Sequence, residues 1–193
     1  MYAAMTKAAI LDAARSLFVS RGFDATSVDD IARESQVSKG AVYHHFQDKQ
    51  EVFVEVYRGA EQAVVAAVAE AVAQPGLQPW EQIETATRAA LHAYATDHAA
   101  RVLMRQAPQV IGQDRTRELD AELALPLVTG LLAEMARLGE LRSVDLDSAA
   151  LLVFHLVSDA AMTITMAPDP DAALSAVTTV MLNMLGGLRQ PPA

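Results

Sequence analysis

Apolar residues recur every three or four positions along nearly the whole chain, and no alternating strand pattern competes with this helical spacing. Glycine and proline interrupt the pattern where helices should end, as at Gly22 and Pro75-Gly76. The predicted helices cover about 6–21, a short segment after Ser27, 39–46, 49–74, 79–98, 99–107 (ending before Pro108), 113–138 (interrupted at Pro126), 145–166 and 169–185. The sequence therefore predicts an all-α protein of about nine helices, in which a long helix joins a three-helix head to a C-terminal helical bundle.

The two short helices have the form of a helix-turn-helix over residues 27–46. Ser27 suits the N-cap of the first, with Asp30 three residues later as in a capping box, and Ser38 suits the N-cap of the second. In such a unit the second helix enters the major groove of DNA while the first crosses the backbone. The residues expected to pack the unit together are Val28, Ile31, Ala32, Val37, Ala41, Val42 and Phe46.

Composition and charge limit the classes of function. Apolar residues make up 52% of the 193 residues, enough for a continuous core, and the absence of cysteine excludes disulfides and thiolate metal sites and fits a reducing cytoplasm. The net charge of −9 lies entirely outside residues 1–50, where six basic and six acidic residues cancel. DNA binding by a neutral head would therefore depend on a few placed contacts rather than on a basic field.

A dense set of motif residues surrounds the helix-turn-helix: Ala13-Ala14, Leu17-Phe18, Gly22-Phe23, Thr26-Ser27-Val28, Ile31-Ala32, Val37 through Phe46, and Asp48-Lys49. This set resembles the TetR family of bacterial regulators over about residues 6–58. The resemblance implies a DNA-binding domain at 1–50 and a domain at 51–193 that binds a small molecule and dimerises. Two positions depart from the family pattern. Gln36 stands where glycine is usual and the chain turns left-handed, and Asp29 is an acid that could repel a phosphate.

Eight residues in and after the helix-turn-helix are candidate DNA contacts: Ser27, Ser38, Lys39, Gly40, Tyr43, His44, His45 and Lys49. Gly40 would let the backbone approach DNA closely, and Lys49 would hold a phosphate at the start of the long helix. Tyr43 has an alternative role as a half-buried aromatic of the head. His44 and His45 lie about 100° apart on a helix, so one of them could be structural. Neither suits a metal site, and no metal or cofactor is expected.

The bundle offers eight candidate ligand-binding residues: Tyr57, Trp80, His92, Tyr94, Met104, Phe154, His155 and Met162. Each could instead be an ordinary core residue. The abundance of methionine suggests an adaptable cavity for an apolar or aromatic effector. His155 and Asp159 lie one helical turn apart on an otherwise apolar helix, so they need partners from a ligand or a second subunit.

The last two helices are apolar on nearly all faces, which predicts that they pack against a second copy of the chain as well as against their own bundle. The candidate interface residues are Leu152, Leu156, Ala160, Ile164, Ala173, Val177, Val180 and Met184. A two-fold dimer would present two recognition helices to one face of double-stranded DNA and so predicts a palindromic operator.

Other classes of protein are less compatible with the sequence. It has no nucleophile elbow, glycine-rich phosphate loop or metalloenzyme spacing, so it is not expected to be an enzyme. Residues 149–166 contain His155 and Asp159 and are expected to form a buried helix rather than a membrane span. We expect a cytoplasmic repressor released by its effector. The alternatives are an activator of the same architecture, or a ligand-binding bundle whose head docks a protein.

Overall fold

In a computed structural model, residues 2–191 are described, with side chains from Met5 onward. Over this range the chain forms nine helices and no sheet, which confirms the all-α prediction. The helices are α1 (Tyr2–Arg21), α2 (Val28–Glu34), α3 (Lys39–His45), α4 (Lys49–Val72), α5 (Pro79–Thr96), α6 (His98–Val110), α7 (Gln113–Arg137), α8 (Leu146–Met166) and α9 (Pro170–Gly186).

Two prolines expected to end or interrupt helices lie inside them. Pro108 is in the last turn of α6, where it removes one helical hydrogen bond, and Ile111 N–H still closes the helix on the Ala107 carbonyl at 2.9 Å. Pro126 is exposed in the middle of α7, and the helix continues through it. Since α7 packs against α4, α5, α6 and α8, tertiary contacts outweigh the local cost of the proline.

The predicted caps of the head are confirmed in atomic detail. Ser27 Oγ accepts a hydrogen bond from Asp30 N at 3.1 Å, and Asp30 Oδ2 accepts one from Ser27 N at 3.1 Å, which completes a capping box for α2. Ser38 Oγ accepts from Ala41 N at 3.1 Å and starts α3. These short helices are thus fixed at their N-termini by their own sequence.

The long helix α4 packs against the head through α1 and against the bundle through α5, α6 and α7. Its apolar face is buried and includes Val52, Phe53, Val56, Tyr57 and Val64. One apolar core runs from Ile10 in the head to Leu185 in α9. The division of the chain at residue 50 remains a prediction, because α4 belongs to both packing units.

Among the described helices, α8 is long and apolar enough to cross a bilayer by composition alone. In the structure it packs against α5, α6, α7 and α9, and residues such as Ala161 and Ile164 are fully buried among them. Its hydrophobicity is accounted for by packing within the bundle and by the apolar surface that it shares with α9.

Candidate nucleic-acid interface and ligand cavity

Helix α3 presents a polar face to solvent and is anchored to the head by two apolar residues. Val42 and Phe46 are 1% and 2% exposed, whereas Tyr43 is 50% exposed. The remaining candidate contacts on this helix and its cap, Ser38, Lys39, Gly40 and His44, are exposed, and His45 is half-buried against Phe46. The face predicted to meet DNA is therefore accessible, and the two histidines differ in exposure as their spacing predicted.

Gly40 has no structural requirement in the free head. A Cβ atom at this position would meet only Ser38 Oγ, at an ordinary contact distance of 3.8 Å. Glycine inside a helix is less favourable than alanine by about 1 kcal/mol. Its presence on the exposed face of α3 is thus unexplained by packing and is consistent with close approach of another molecule.

Lys39 and Asp29 form an ion pair between the two helices of the motif. Lys39 Nζ donates to Asp29 Oδ2 at 2.9 Å, and both side chains are more than half exposed. The hydrogen bond to Asp29 raises the pKa of Lys39. Asp29, the acid expected to repel phosphate, is here the ion-pair partner of the lysine expected to bind it, so its carboxylate offsets part of the positive charge that Lys39 presents.

Lys49 makes contacts within the head that the sequence analysis did not predict. Its ammonium donates to the carbonyl oxygens of Phe23 at 2.7 Å and Thr26 at 2.8 Å, and it lies 4.0 Å from the centre of the Phe23 ring. These contacts hold the turn between α1 and α2 to the start of α4. Two of the three donors of the ammonium group are thus used within the head, and a phosphate contact by Lys49 stays a prediction.

The hydroxyl of Ser27 is also engaged within the head. Ser27 is exposed, but its Oγ donates to Asp30 Oδ2 at 2.5 Å while it caps α2. These hydrogen bonds from Ser27, together with one from Arg33, lower the pKa of Asp30 to about 2. A contact between Ser27 and phosphate would therefore compete with a carboxylate that is ionised at neutral pH.

Gln36 adopts the left-handed conformation anticipated for its position, with φ of 57°. Gln36 N donates to the Arg33 carbonyl at 3.2 Å and Val37 N donates to the Ala32 carbonyl at 3.0 Å, which is the pattern of a Schellman motif ending α2. A residue with a Cβ is strained in this conformation.

Two adjoining cavities lie among α4, α5, α6, α7 and α8. The inner one, of about 100 Å³, is mostly apolar, and the outer one, of about 390 Å³, is more polar. Four residues line both cavities: Met104, Asp120, Phe154 and Ser158. Because they share these residues, the two cavities adjoin, and together they make the candidate ligand site.

The structure brings five of the eight predicted ligand residues to this site. Tyr94 lines the inner cavity, His155 and Met162 line the outer one, and Met104 and Phe154 line both.

The other three predicted ligand residues lie elsewhere. Tyr57 is fully buried behind the cavity wall, and Trp80 lies at the start of α5 with its ring 5.6 Å from the Arg189 guanidinium. His92 is exposed on α5. Helical spacing alone did not distinguish the cavity-facing side of α5 from its other sides.

Two acidic residues of the cavity, Glu61 and Asp120, were not predicted. Tyr94 donates its hydroxyl hydrogen bond to Glu61 Oε2, and Tyr57 donates to Asp120 Oδ1 at 2.7 Å. Glu61 is 5% exposed, and its Oε1 has no hydrogen-bond partner among the described residues. A signal was available, since Glu61 is a charged residue on the apolar stripe of α4 between Tyr57 and Val64.

Burial controls the charge state of this acidic pair. It raises the pKa of Glu61 to about 8, with a further contribution from the nearby charge of Asp120, and it raises the pKa of Asp120 to about 6. Burial likewise raises the pKa values of Tyr57 and Tyr94. At neutral pH Glu61 is therefore mostly protonated and Asp120 mostly ionised.

The surface formed by α8 and α9 is apolar and exposed in part. Leu152, Val180 and Met184 are 67%, 57% and 54% exposed, and Leu156, Ala173 and Val177 are half-buried. Ala160, although only 7% exposed, lines the shallow groove between α8 and α9 together with Leu156 and Val177. Ile164 is fully buried in the subunit core and lies outside this surface.

His155 and Asp159 are exposed on α8 beside this surface, and both also line the outer cavity. The described residues contain no ion pair between them. Partners from a ligand or a second subunit therefore remain a prediction for this pair.

Comparisons with known proteins extend over most of the chain. Residues 10–56 match a family model described as bacterial regulatory proteins, tetR family, and residues 80–188 match one described as tetracyclin repressor-like, C-terminal domain. The chain is 32% identical over 149 residues to the transcriptional repressor BepR of Brucella suis, covering 73% of this chain and 71% of that protein. It is 30% identical over 156 residues to the transcriptional repressor KstR2 of Rhodococcus jostii, covering 79% and 74%. The solved structure of a TetR-family regulator from Pectobacterium atrosepticum superposes with a TM-score of 0.84 at 25% identity, covering 100% of this chain and 98% of that one.

Proposed function

The chain belongs to the TetR family of bacterial transcriptional regulators, and on that premise we propose that it is a homodimeric repressor that binds a palindromic operator and is released by a small molecule bound among α4–α8. Members of this family are DNA-binding regulators rather than enzymes. Both curated relatives described above are named as repressors, which supports repression over activation here. A reporter gene under the control of the operator distinguishes the two, because deletion of a repressor raises expression and deletion of an activator lowers it.

The observation that carries DNA binding is the exposed polar face of α3 on a buried anchor. Lys39, Tyr43 and His44 project from a helix whose other side is fixed by Val42 and Phe46. An α-helix that is exposed along one face fits the major groove, where its side chains reach base edges and phosphates. His45 is half-buried and contributes to anchoring, and the side chain of Lys49 supports the head.

Gly40→Ala separates DNA contact from stability. Alanine meets no close contact in the free head and is the better helix former, so the variant should melt at the same or a higher temperature. If α3 lies against DNA, the added methyl group should weaken binding to the DNA upstream of the gene about tenfold or more, measured by fluorescence anisotropy. Unchanged DNA affinity in Gly40→Ala, Lys39→Ala and Tyr43→Ala together would show that α3 is not the helix that contacts DNA.

Dimerisation is supported by the apolar surface on α8 and α9. Leu152, Val180 and Met184 are each more than half exposed, and Met166 at the end of α8 is 65% exposed. Val180 and Met184 line one shallow groove with Leu156 and Val177, and exposed apolar side chains grouped in this way mark an interaction surface. Symmetric packing of α8 and α9 on the same helices of a second copy would bury these side chains. It would also place two heads on the two half-sites of one palindromic operator. Val180→Glu should convert a dimer into a monomer in sedimentation, whereas Thr179→Glu, on the same helix at an exposed polar position, serves as its control.

Release by a ligand requires a connection between the cavity and the head, and α6 provides one. Met104 lines both cavities, and two residues later the Gln106 side chain reaches the head. Its Oε1 accepts from Phe23 N at 2.8 Å, and its Nε2 donates to the Phe18 carbonyl at 3.1 Å. A ligand that displaces Met104 would move α6 and, through Gln106, the turn that positions α2.

A screen of apolar and aromatic compounds by thermal shift, followed by operator competition, tests this connection. The compound that most raises the melting temperature should lower operator affinity in the wild type. In Gln106→Leu the same compound should still bind, because Gln106 does not line the cavity, but its effect on operator affinity should shrink. Binding compounds that never alter operator affinity would contradict ligand-gated release.

A further inference from the structure

We infer that the effector is an organic cation whose positively charged group lies against Glu61 and Asp120 and whose apolar part occupies the inner cavity. This inference rests on the proposed ligand site and specifies the chemistry of its occupant. It requires the apolar or aromatic character expected from the sequence to be combined with a charge, as in an aryl or alkyl ammonium compound.

The first observation is the unpartnered oxygen of Glu61. Glu61 lines the inner cavity, is 5% exposed, and uses Oε2 to accept from Tyr94 while Oε1 has no partner among the described residues. A buried polar atom without a hydrogen bond costs about 1–3 kcal/mol. A ligand that supplies positive charge or a donor at this point removes that cost.

The second observation is the sign of the charges that face this point. Asp120, from α7, lines the same cavity and is satisfied on one oxygen by Tyr57. The described lining of the inner cavity includes no lysine, arginine or histidine. The charged and titratable groups of the outer cavity are Arg117, His155 and Asp159, all exposed, besides the shared Asp120. The inner end of the site is therefore acidic, and an anionic ligand would face two carboxyl groups without a basic partner there.

The third observation is the mixture of aromatic and aliphatic groups around the acids. Tyr94 and Phe154 line the same cavity as Glu61, and aromatic rings attract cations through the negative potential of their faces. The rest of the inner wall is aliphatic and includes Val64, Val68, Ile83, Leu127, Leu131 and Val153. A volume of about 100 Å³ accepts a small alkyl or ring group, and the outer cavity gives a larger molecule room to extend.

Binding of a cation would also change protonation. Glu61 is mostly protonated at neutral pH in the free protein, so a bound cation favours its ionised form and the proton passes to the solvent. The affinity for a permanent cation should therefore rise with pH up to about pH 8. The titratable groups that interact with Glu61 are Tyr94 from α5 and Asp120 from α7, which line the cavity, and Tyr57 from α4, which does not. Both tyrosines stay neutral in this range.

Benzyltrimethylammonium and its uncharged carbon isostere neopentylbenzene form a matched pair of probes, since they differ mainly in charge. Binding is measured by titration calorimetry at pH 6 and pH 8.5, and operator affinity is measured separately by anisotropy. The wild type should bind the cation about tenfold more tightly than the isostere at pH 8.5, with a smaller preference at pH 6. Because the cation does not titrate, the change with pH reports on the protein.

Glu61→Gln keeps an acceptor for Tyr94 but removes the charge. It should weaken binding of the cation about tenfold while leaving the isostere within about twofold. Asp120→Asn should act in the same direction, and Glu70→Gln, an exposed position of α4, is the control for loss of an acid on this helix. Helical circular dichroism of each variant verifies folding.

The outcomes separate the inference from the proposed function. Equal affinity for both probes in the wild type, or a preference for the cation that survives Glu61→Gln and Asp120→Asn, would overturn the cation site. If only the isostere binds, and its binding lowers operator affinity, ligand-gated repression stands and the assignment of a cationic ligand fails. If the cation binds with the expected dependence on Glu61 and never alters operator affinity, the site stands and gating fails.

Discussion

Glu61→Gln should make the stability of the protein less dependent on pH. The pKa of Glu61 is about 8 in the folded chain against an ordinary value of 4.5, so the folded state binds this proton more tightly than the unfolded state does. The stabilisation from this proton is complete below about pH 4.5 and is lost as the pH rises through about 8. Since each pH unit between the two pKa values corresponds to about 1.4 kcal/mol, the loss has an upper limit of about 5 kcal/mol.

Relaxation of the cavity around an ionised Glu61 would lower this figure, so we expect a measured effect of about 1–3 kcal/mol. The assay is urea denaturation of wild type and Glu61→Gln at several pH values from 5 to 8.5, with the difference in unfolding free energy taken at each pH. Taking this difference removes the contribution of titrating groups that both proteins share. It should shift in favour of the variant as the pH rises, while Glu70→Gln should show no such trend. A constant difference between wild type and Glu61→Gln across this range would refute the reasoning that burial controls the charge of Glu61.

Three further predictions concern the head. Gln36→Gly should raise the unfolding free energy by about 1 kcal/mol in a urea melt by relieving the left-handed strain, and Gln36→Ala, which keeps a Cβ, should give no such gain. Lys49→Met should lower the unfolding free energy by about 1–3 kcal/mol, because two carbonyl groups lose their charged donor. Loss of operator affinity without loss of stability would instead favour a phosphate contact by Lys49. Asp29→Asn should strengthen operator binding and steepen its salt dependence in anisotropy titrations, because it removes the negative charge paired with Lys39. Unchanged binding at low and high salt would argue against a role for this ion pair in DNA binding.

The helix-turn-helix was predictable because its determinants are local. The caps by Ser27 and Ser38 depend on hydrogen bonds spanning three residues, and the left-handed turn at Gln36 depends on the backbone of the preceding helix. The exposed face of α3 follows from helical spacing once Val42 and Phe46 are recognised as anchors. Interactions between near neighbours in sequence are visible to pattern analysis, so this part of the fold was anticipated closely, while the DNA contacts assigned to its residues stay predictions.

Contacts between residues far apart in the sequence decided the environment of several predicted site residues, and no local pattern indicated it. Lys49 donates hydrogen bonds to the carbonyl groups of Phe23 and Thr26, which are more than twenty residues away in the sequence. Ile164 and Leu152 both suit an apolar helix surface, and only the positions of the neighbouring helices decide that Ile164 is buried and Leu152 is 67% exposed.

The amino-acid sequence by itself determined the nine helices, the motif and the face of α3, since these follow from capping, periodicity and turn chemistry. Tertiary structure alone decided that Glu61 and Asp120, fifty-nine positions apart, share one cavity with Tyr94. The physical reason is that a carboxyl group acquires its altered pKa from burial and from neighbours on other helices. No spacing within one helix encodes either of these.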